Sequence, residues 1–204
     1  MPEPSSLQYK ELPLVELSLP RDRWDNFNCL LRQGFYVLVP GGLSLQQILN
    51  AEFGISVDYL QDRVQTIFLD SSPVDDPEKA YPKAWSILAL SSAMPGLVGA
   101  TMRKGGYYAA LRGSISYQGQ AEKASSQDLP LQIKLFNFLA PELAENFLPR
   151  GIVLQNRSLL ELIKQQGSSL WASPAKIFLQ GREVDRAELE GHLQKQGQTR
   201  LQVH

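Results

Sequence analysis

The sequence predicts an α+β protein built from two tandem copies of one small unit, each a mixed sheet with one main helix packed across it. Three observations predict it. First, Ile67-Phe-Leu-Asp-Ser-Ser-Pro-Val74-Asp75 and Ile177-Phe-Leu-Gln-Gly-Arg-Glu-Val184-Asp185 both read Ile-Phe-Leu, four residues, Val-Asp, and internal repeats of this kind mark duplication. Second, a helix start lies upstream of each copy. Third, apolar residues alternate with polar ones before each helix, the period of a half-buried strand.

In chain order, Val15, Leu17 and Leu19 alternate with Glu16 and Ser18, and Phe35 to Val39 forms the returning strand, broken by Pro40-Gly-Gly42. Arg21 to Gln33 between them is too long for a hairpin turn and reads as partly helical. Ser44-Leu-Gln-Gln47 opens the first helix as a capping box, in which Ser accepts from one orphan N–H and Gln reaches back to another. Leu45, Ile48 and Leu49 share its inner face, and Gly54 is the expected stop. The Ile-Phe-Leu strand follows, then a polar stretch and a last strand, Ser86 to Leu90.

The second half reads the same way. Leu131, Ile133 and Leu135 alternate with Gln132 and Lys134; Ala140 to Asn146 connects; Gly151 to Leu154 returns. Ser158 and Glu161 suggest a second capping box, with Leu159, Leu162 and Ile163 facing inward and Gly167 as the stop. Thr199 to Val203 is the last strand. The expected organisation is a first domain at 12–117 with a glycine-rich extension, a polar linker at 118–129, and a second domain at 130–204.

Ile133-Lys-Leu-Phe-Asn-Phe-Leu-Ala140 is similar to the first strand of small sulfur carriers, and Phe178-Leu-Gln-Gly181-Arg-Glu-Val184 is similar to their strand-turn segment. The element order likewise resembles the β-grasp superfamily, in particular its ubiquitin-like branch and the group of the molybdopterin synthase small subunit and the thiamine sulfur carrier. The resemblance implies two tandem β-grasp-like domains. It does not bring the function along. Such carriers act through a C-terminal Gly-Gly, whereas this chain ends Leu201-Gln-Val-His204. An internal Arg103-Lys-Gly105-Gly106 looks like a modifier tail and would need processing after Gly106 to act as one.

With 43% hydrophobic and 20% charged residues the composition is that of a folded globular chain. A net charge of -1 supplies no general attraction to nucleic acid or an anionic membrane, and neither is expected as a partner. The N-terminal Met-Pro-Glu-Pro-Ser-Ser has no secretory pattern, and no apolar run reaches the roughly 18 residues of a spanning helix. One cysteine, Cys29, suits a reducing compartment, so a cytoplasmic location is expected; Cys29 itself reads as a small core residue beside Leu30 and Leu31.

Ser91 to Arg112 is the segment richest in chemistry. It is dense in Gly and Ala and holds three cations without an acid. Glycine N–H groups can approach an anion and Arg or Lys can neutralise it, so Gly96, Gly99, Arg103, Lys104, Gly105, Gly106 and Arg112 are the candidate ligand-binding residues. P-loop and Gly-x-Gly-x-x-Gly spacings are absent. Asp70, Asp75, Asp76 and Glu78 read as solvated turn residues, and Trp24, Trp85 and Trp171 as core or contact residues. His192 and His204 stand in polar surroundings, and no catalytic residue, metal ligand or cofactor is expected. The leading expectation is a non-catalytic module that binds an unidentified protein partner; the alternatives are a small anionic ligand at 95–112 and a processed modifier.

Overall fold

The structure is a computed structural model that describes Tyr9 and residues 11–119 and 127–204. Strand β1 (Leu14–Ser18) leads through a 3₁₀ segment (Arg21–Phe27) and helix α1 (Asn28–Gln33) into β2 (Phe35–Pro40). Helix α2 (Leu45–Gln47) continues as a π turn (Ile48–Glu52), and α3 (Val57–Asp62) follows. Next come β3 (Thr66–Leu69), β4 (Ser72–Pro73), β5 (Ile87–Ser91), α4 (Gly96–Met102) and a second 3₁₀ segment (Tyr107–Arg112). The second half contains β6 (Asp128–Phe136), α5 (Leu139–Phe147), a 3₁₀ turn (Leu148–Arg150), β7 (Ile152–Gln155), α6 (Asn156–Gln165) and α7 (Ser168–Trp171). It closes with β8 (Lys176–Leu179), β9 (Arg182–Glu183), α8 (Arg186–Leu193) and β10 (Gln198–Val203).

The class is mixed α+β, as the sequence predicts. The strands, however, pair in the orders β4-β3-β5-β6 and β2-β7-β10-β1-β8-β9, each mixing strands from both halves of the sequence, and not as one sheet per half. The predicted strand pairs β1–β2 and β6–β7 do not form. Their connections are helical, and a helical connection carries the chain away from the strand it has just left. Ala140 to Asn146, read above as a plain connection, lies within α5.

Contacts divide the chain into two compact units, the chain up to Val37 with Pro141–His204, and Leu38–Ala140. These lines differ from 12–117 and 130–204 because β1 pairs with β8 and β10, and β6 with β5. Of the expected linker at 118–129, residues 120–126 lie outside the described residues, and Asp128 already begins β6.

In the first unit β1 lies between β10, parallel to it (Val15↔Leu201, Leu17↔Val203), and β8, antiparallel to it (Val15↔Leu179, Leu17↔Ile177). Strand β10 also pairs antiparallel with β7. The alternation places Val15, Leu17, Leu201 and Val203 in the core, where Phe35 and Phe147 meet edge to face at 5.1 Å. Leu159, Leu162 and Ile163 of α6 are buried as their spacing predicts. The second capping box does not form, because the helix begins three residues earlier than a Ser158 cap requires, at Asn156, and encloses Ser158. Asn156 is recruited by distant partners: its N–H donates to the Gly197 carbonyl, its Nδ2 to Lys195, and its Oδ1 accepts from Thr199. Glu161 pairs with Arg157 instead. Gly167 has φ -69° and leads into α7, so the predicted left-handed stop is unused. Cys29 is exposed, not a core residue, while Leu30 and Leu31 beside it are buried.

In the second unit β5 runs parallel to β6 (Leu88↔Ile133, Leu90↔Leu135) and antiparallel to β3 (Ile67↔Leu90, Leu69↔Leu88). Those six side chains are buried, and so are Leu45, Ile48 and Leu49. The Ser44 capping box forms: the Gln47 N–H donates to Ser44 Oγ at 3.3 Å, and the Ser44 N–H to Gln47 Oε1 at 2.9 Å. Gly54, at φ 67°, ends the segment as predicted. Among the described residues no helix is long and apolar enough to cross a membrane.

Candidate functional site

The glycine-rich segment forms a strap that leaves β5 at Ser91. Ser91 Oγ donates to the Ala93 carbonyl at 2.9 Å, and Asn137 Nδ2 donates to both. Helix α4 then needs its glycines. Gly96 sits at φ 70°, and a Cβ on Gly99 would stand 1.7 Å from the Met94 carbonyl oxygen. Small residues here serve close backbone approach.

One buried cation pins the strap. Arg112 is 3% exposed, and its guanidinium has five N–H groups. All five are met within the protein. Nε donates to the Thr101 carbonyl at 2.6 Å, Nη1 to Asp75 Oδ2 at 3.0 Å and Ser116 Oγ at 2.7 Å, and Nη2 to Asp75 Oδ1 at 2.7 Å and the Arg103 carbonyl at 3.2 Å. The two-pronged geometry on Asp75 is the strong form of an Arg–carboxylate pair. Asp75 Oδ1 also accepts from the Gly105 N–H at 3.0 Å.

The other candidate residues lie along the same strap and meet different acceptors. Arg103 is exposed and donates to Gln65 Oε1 at 2.6 Å. Lys104 Nζ donates to the Leu60 carbonyl at 2.5 Å, and its backbone N–H to Gln65. Burial pushes the Lys104 pKa down, with Asp62 opposing the shift. Gly105 takes φ 60°, and the Gly106 N–H donates to Arg103. The structure thus brings Gly105 and Arg112 together on Asp75, while Arg103 and Lys104 reach toward residues 60–65. The Lys104-Gly105-Gly106 stretch is tied by its backbone N–H groups and continues directly into the 3₁₀ segment.

Two acids read as solvated turn residues are exposed, as expected, and each also makes structural hydrogen bonds. Asp75 holds Arg112, and Asp70 accepts from Ser86 Oγ at 2.8 Å and the Ile87 N–H at 2.7 Å, fixing the start of β5. Asp76 pairs with Lys79, and Glu78 accepts from Gln46, both at the surface. The Arg112–Asp75 pair escaped sequence reasoning. Its one signal is that no acid occurs between Glu78 and Glu122, so a cation there that becomes buried must find its carboxylate elsewhere.

The apolar surface is the second feature of this unit. Among the described residues, the exposed large apolar side chains all lie between Ile87 and Phe138. Leu97 and Val98 on α4 are 72% and 59% exposed, and Tyr107 and Leu111 on the 3₁₀ segment 91% and 76%. Beside the strap, a cavity of ≈ 290 Å³ is lined by Phe68, Ala89, Ser91, Met94, Phe136 and Asn137, among others. Arg63 lies 5.8 Å over the Phe138 ring.

His192 on α8 carries a buried Nε2 without a partner, and burial together with Lys195 lowers its pKa. Trp24 is buried, as expected, with its Nε1 donating to Leu19. No protein-family model, curated protein or solved structure matches the chain, so the β-grasp resemblance rests on the residues that suggested it.

Proposed function

We propose that the protein is a non-catalytic binding or assembly module that docks another protein through the strap of its Leu38–Ala140 unit. One observation carries this reading: the exposed apolar side chains are concentrated on a strap whose inner side is held in place. Contiguous exposed apolar surface marks interaction sites in soluble proteins, and Tyr is enriched in interface cores. Arg112, fully bonded inside the protein, keeps Leu97, Val98, Tyr107 and Leu111 presented instead of folded inward. Held this way, the surface binds without first ordering a loop, which lowers the entropic cost of association.

The anionic-ligand reading draws less support, since each Arg112 N–H already has an acceptor and the three cations do not share one. The repeated order of strand, helix, strand, helix and hairpin supports a duplicated β-grasp-like unit with strands exchanged between copies. The single cysteine, exposed and unpaired, is consistent with a cytoplasmic setting.

Native mass spectrometry of the protein isolated gently from its own host tests the reading. The wild type is expected to carry the mass of a second polypeptide, and the double substitution Leu97→Asp, Leu111→Asp to lose it with unchanged melting temperature. A complex that survives the double substitution, or a bare wild-type chain, overturns the reading.

A further inference from the structure

The proposed docking surface extends onto the sheet. On the side opposite the buried Leu88, Leu90, Ile133 and Leu135, strands β5 and β6 turn out Ile87, Ala89 and Ser91, and Gln132, Lys134 and Phe136. Phe68 of β3, paired with Ala89, adds to that side. Ile87 and Phe136 are each 40% exposed. Ala89 is small between larger neighbours, and the cavity of ≈ 290 Å³ opens over it, flanked by Phe68 and Phe136 and ended by Met94.

In the other unit β1 and β10 turn Leu14, Glu16, Ser18, Gln198, Arg200 and Gln202 away from their buried residues, with Phe178 of β8 beside Glu16 and Val153 of β7 beside Arg200, so polar side chains outnumber apolar ones on that side.

Among the described residues, Asp70 stands at the start of β5, where it accepts from the Ile87 N–H at 2.7 Å, and the charges farther along the trough are cationic. Over the paired stretch of β5 and β6, Lys134 is the single charged side chain on that side, and no cavity-lining residue is acidic. Arg63 covers Phe138 two residues beyond Phe136, and the strap contributes exposed Arg103. An apolar trough with a cationic border selects an apolar group accompanied by carboxylates, since like charges set across an interface are penalised.

We propose that this trough is a peptide-recognition site, taking a partner segment with one aliphatic or aromatic anchor residue flanked by Asp or Glu. The anchor seats over Ala89 between Phe68 and Phe136, and the carboxylates meet Lys134 and Arg63. The proposal rests on the protein-docking reading above and names the chemistry of the partner.

The test uses the full-length protein and three sets of short synthetic peptides with a central Phe or Leu, flanked by acidic, neutral or basic residues. Affinities are read by fluorescence anisotropy. Acidic-flanked peptides are expected to bind about ten-fold or more tightly than basic-flanked ones, with the preference shrinking as salt is raised. Lys134→Glu is expected to reverse the preference, and Ala89→Trp, which fills the trough, to abolish binding. Phe136→Ser serves the same purpose if Ala89→Trp fails to fold. Equal binding of the three sets, binding indifferent to both trough substitutions, or binding only to anionic lipid vesicles overturns the proposal. If the peptides fail while the host complex remains sensitive to Leu97→Asp, Leu111→Asp, the peptide site falls and the docking reading stands. If the host complex is also insensitive, both fall.

Discussion

Hairpins β3–β4 and β8–β9 turn through the same two-residue bend. Asp70 and Ser71 stand at φ 50° and 69°, and Gln180 and Gly181 at φ 51° and 78°, as a type I′ turn requires. In both, the Val of Val-Asp donates back to the Ile of Ile-Phe-Leu: Val74 to Ile67 at 2.8 Å, Val184 to Ile177 at 3.0 Å. The residue after each Leu donates outward, Asp70 to Ile87 on β5 but Gln180 to Leu14 on β1. The aspartates that follow then diverge. Asp185 caps α8 by accepting from the Glu188 N–H at 2.8 Å. Asp75 is followed by Asp76 and Pro77, caps no helix, and holds buried Arg112. Equal local sequence made equal local structure, and the two copies acquired different uses through what packs beside them.

The two aspartates offer the largest test of this comparison. Asp75→Ala leaves a buried guanidinium without its carboxylate; because Asp75 is itself 41% exposed and the pair partly screened, the cost is expected to be about 2 kcal/mol, whereas Asp185→Ala loses a helix cap worth about 1 kcal/mol. Urea denaturation of the two variants measures the gap, and equal costs would show that Arg112 is no pin.

Two helical glycines make the next test. Gly99→Ala drives a Cβ into the Met94 carbonyl and is expected to destabilise by about 2 kcal/mol. Gly191→Ala, in α8 with nothing within 4 Å of the added Cβ, is expected to stabilise by about 0.5–1 kcal/mol. Thermal melts giving the same sign for both would remove the strap's claim to close approach.

The smallest effect lies in the turns themselves. Ser71→Gly relieves a non-glycine at positive φ and is expected to gain about 0.5 kcal/mol, while Gly181→Ser loses a similar amount. Opposite signs in a denaturant titration sharpen the equivalence of the two bends, and matching signs break it.

Much of the local structure was legible in advance. Alternation at Val15 and Leu17 and at Ile133 and Leu135 identified strands with one buried face, and Ser44 with Gln47 identified a helix start that forms as drawn. The second box failed at Ser158 because Thr199 and Lys195, about forty residues away along the chain, engage Asn156. Cys29 was assigned inside from its apolar neighbours, but on a short helix the adjacent residue points elsewhere, and it faces water. The candidate site was legible as a segment. Arg112 was singled out as one of its cations, while its pairing with Asp75, an exposed residue 37 positions away, was not legible, because nothing local in the sequence joins the two.

By itself the sequence determined the elements: their period, their caps, the duplicated bend, and the segment whose glycines permit close backbone approach. These depend on residues within a few positions of one another, and torsional preference and side-chain spacing suffice to specify them. Only the tertiary structure decided that β1 runs beside β10 and β5 beside β6, and that Arg112 is saturated by Asp75. Every strand here offers the same row of N–H and C=O groups and a similar apolar face, so alternation states that a strand will pair without stating with which. That choice is made by the free energy of the whole core, where burial of many side chains at once offsets the entropy of closing long loops.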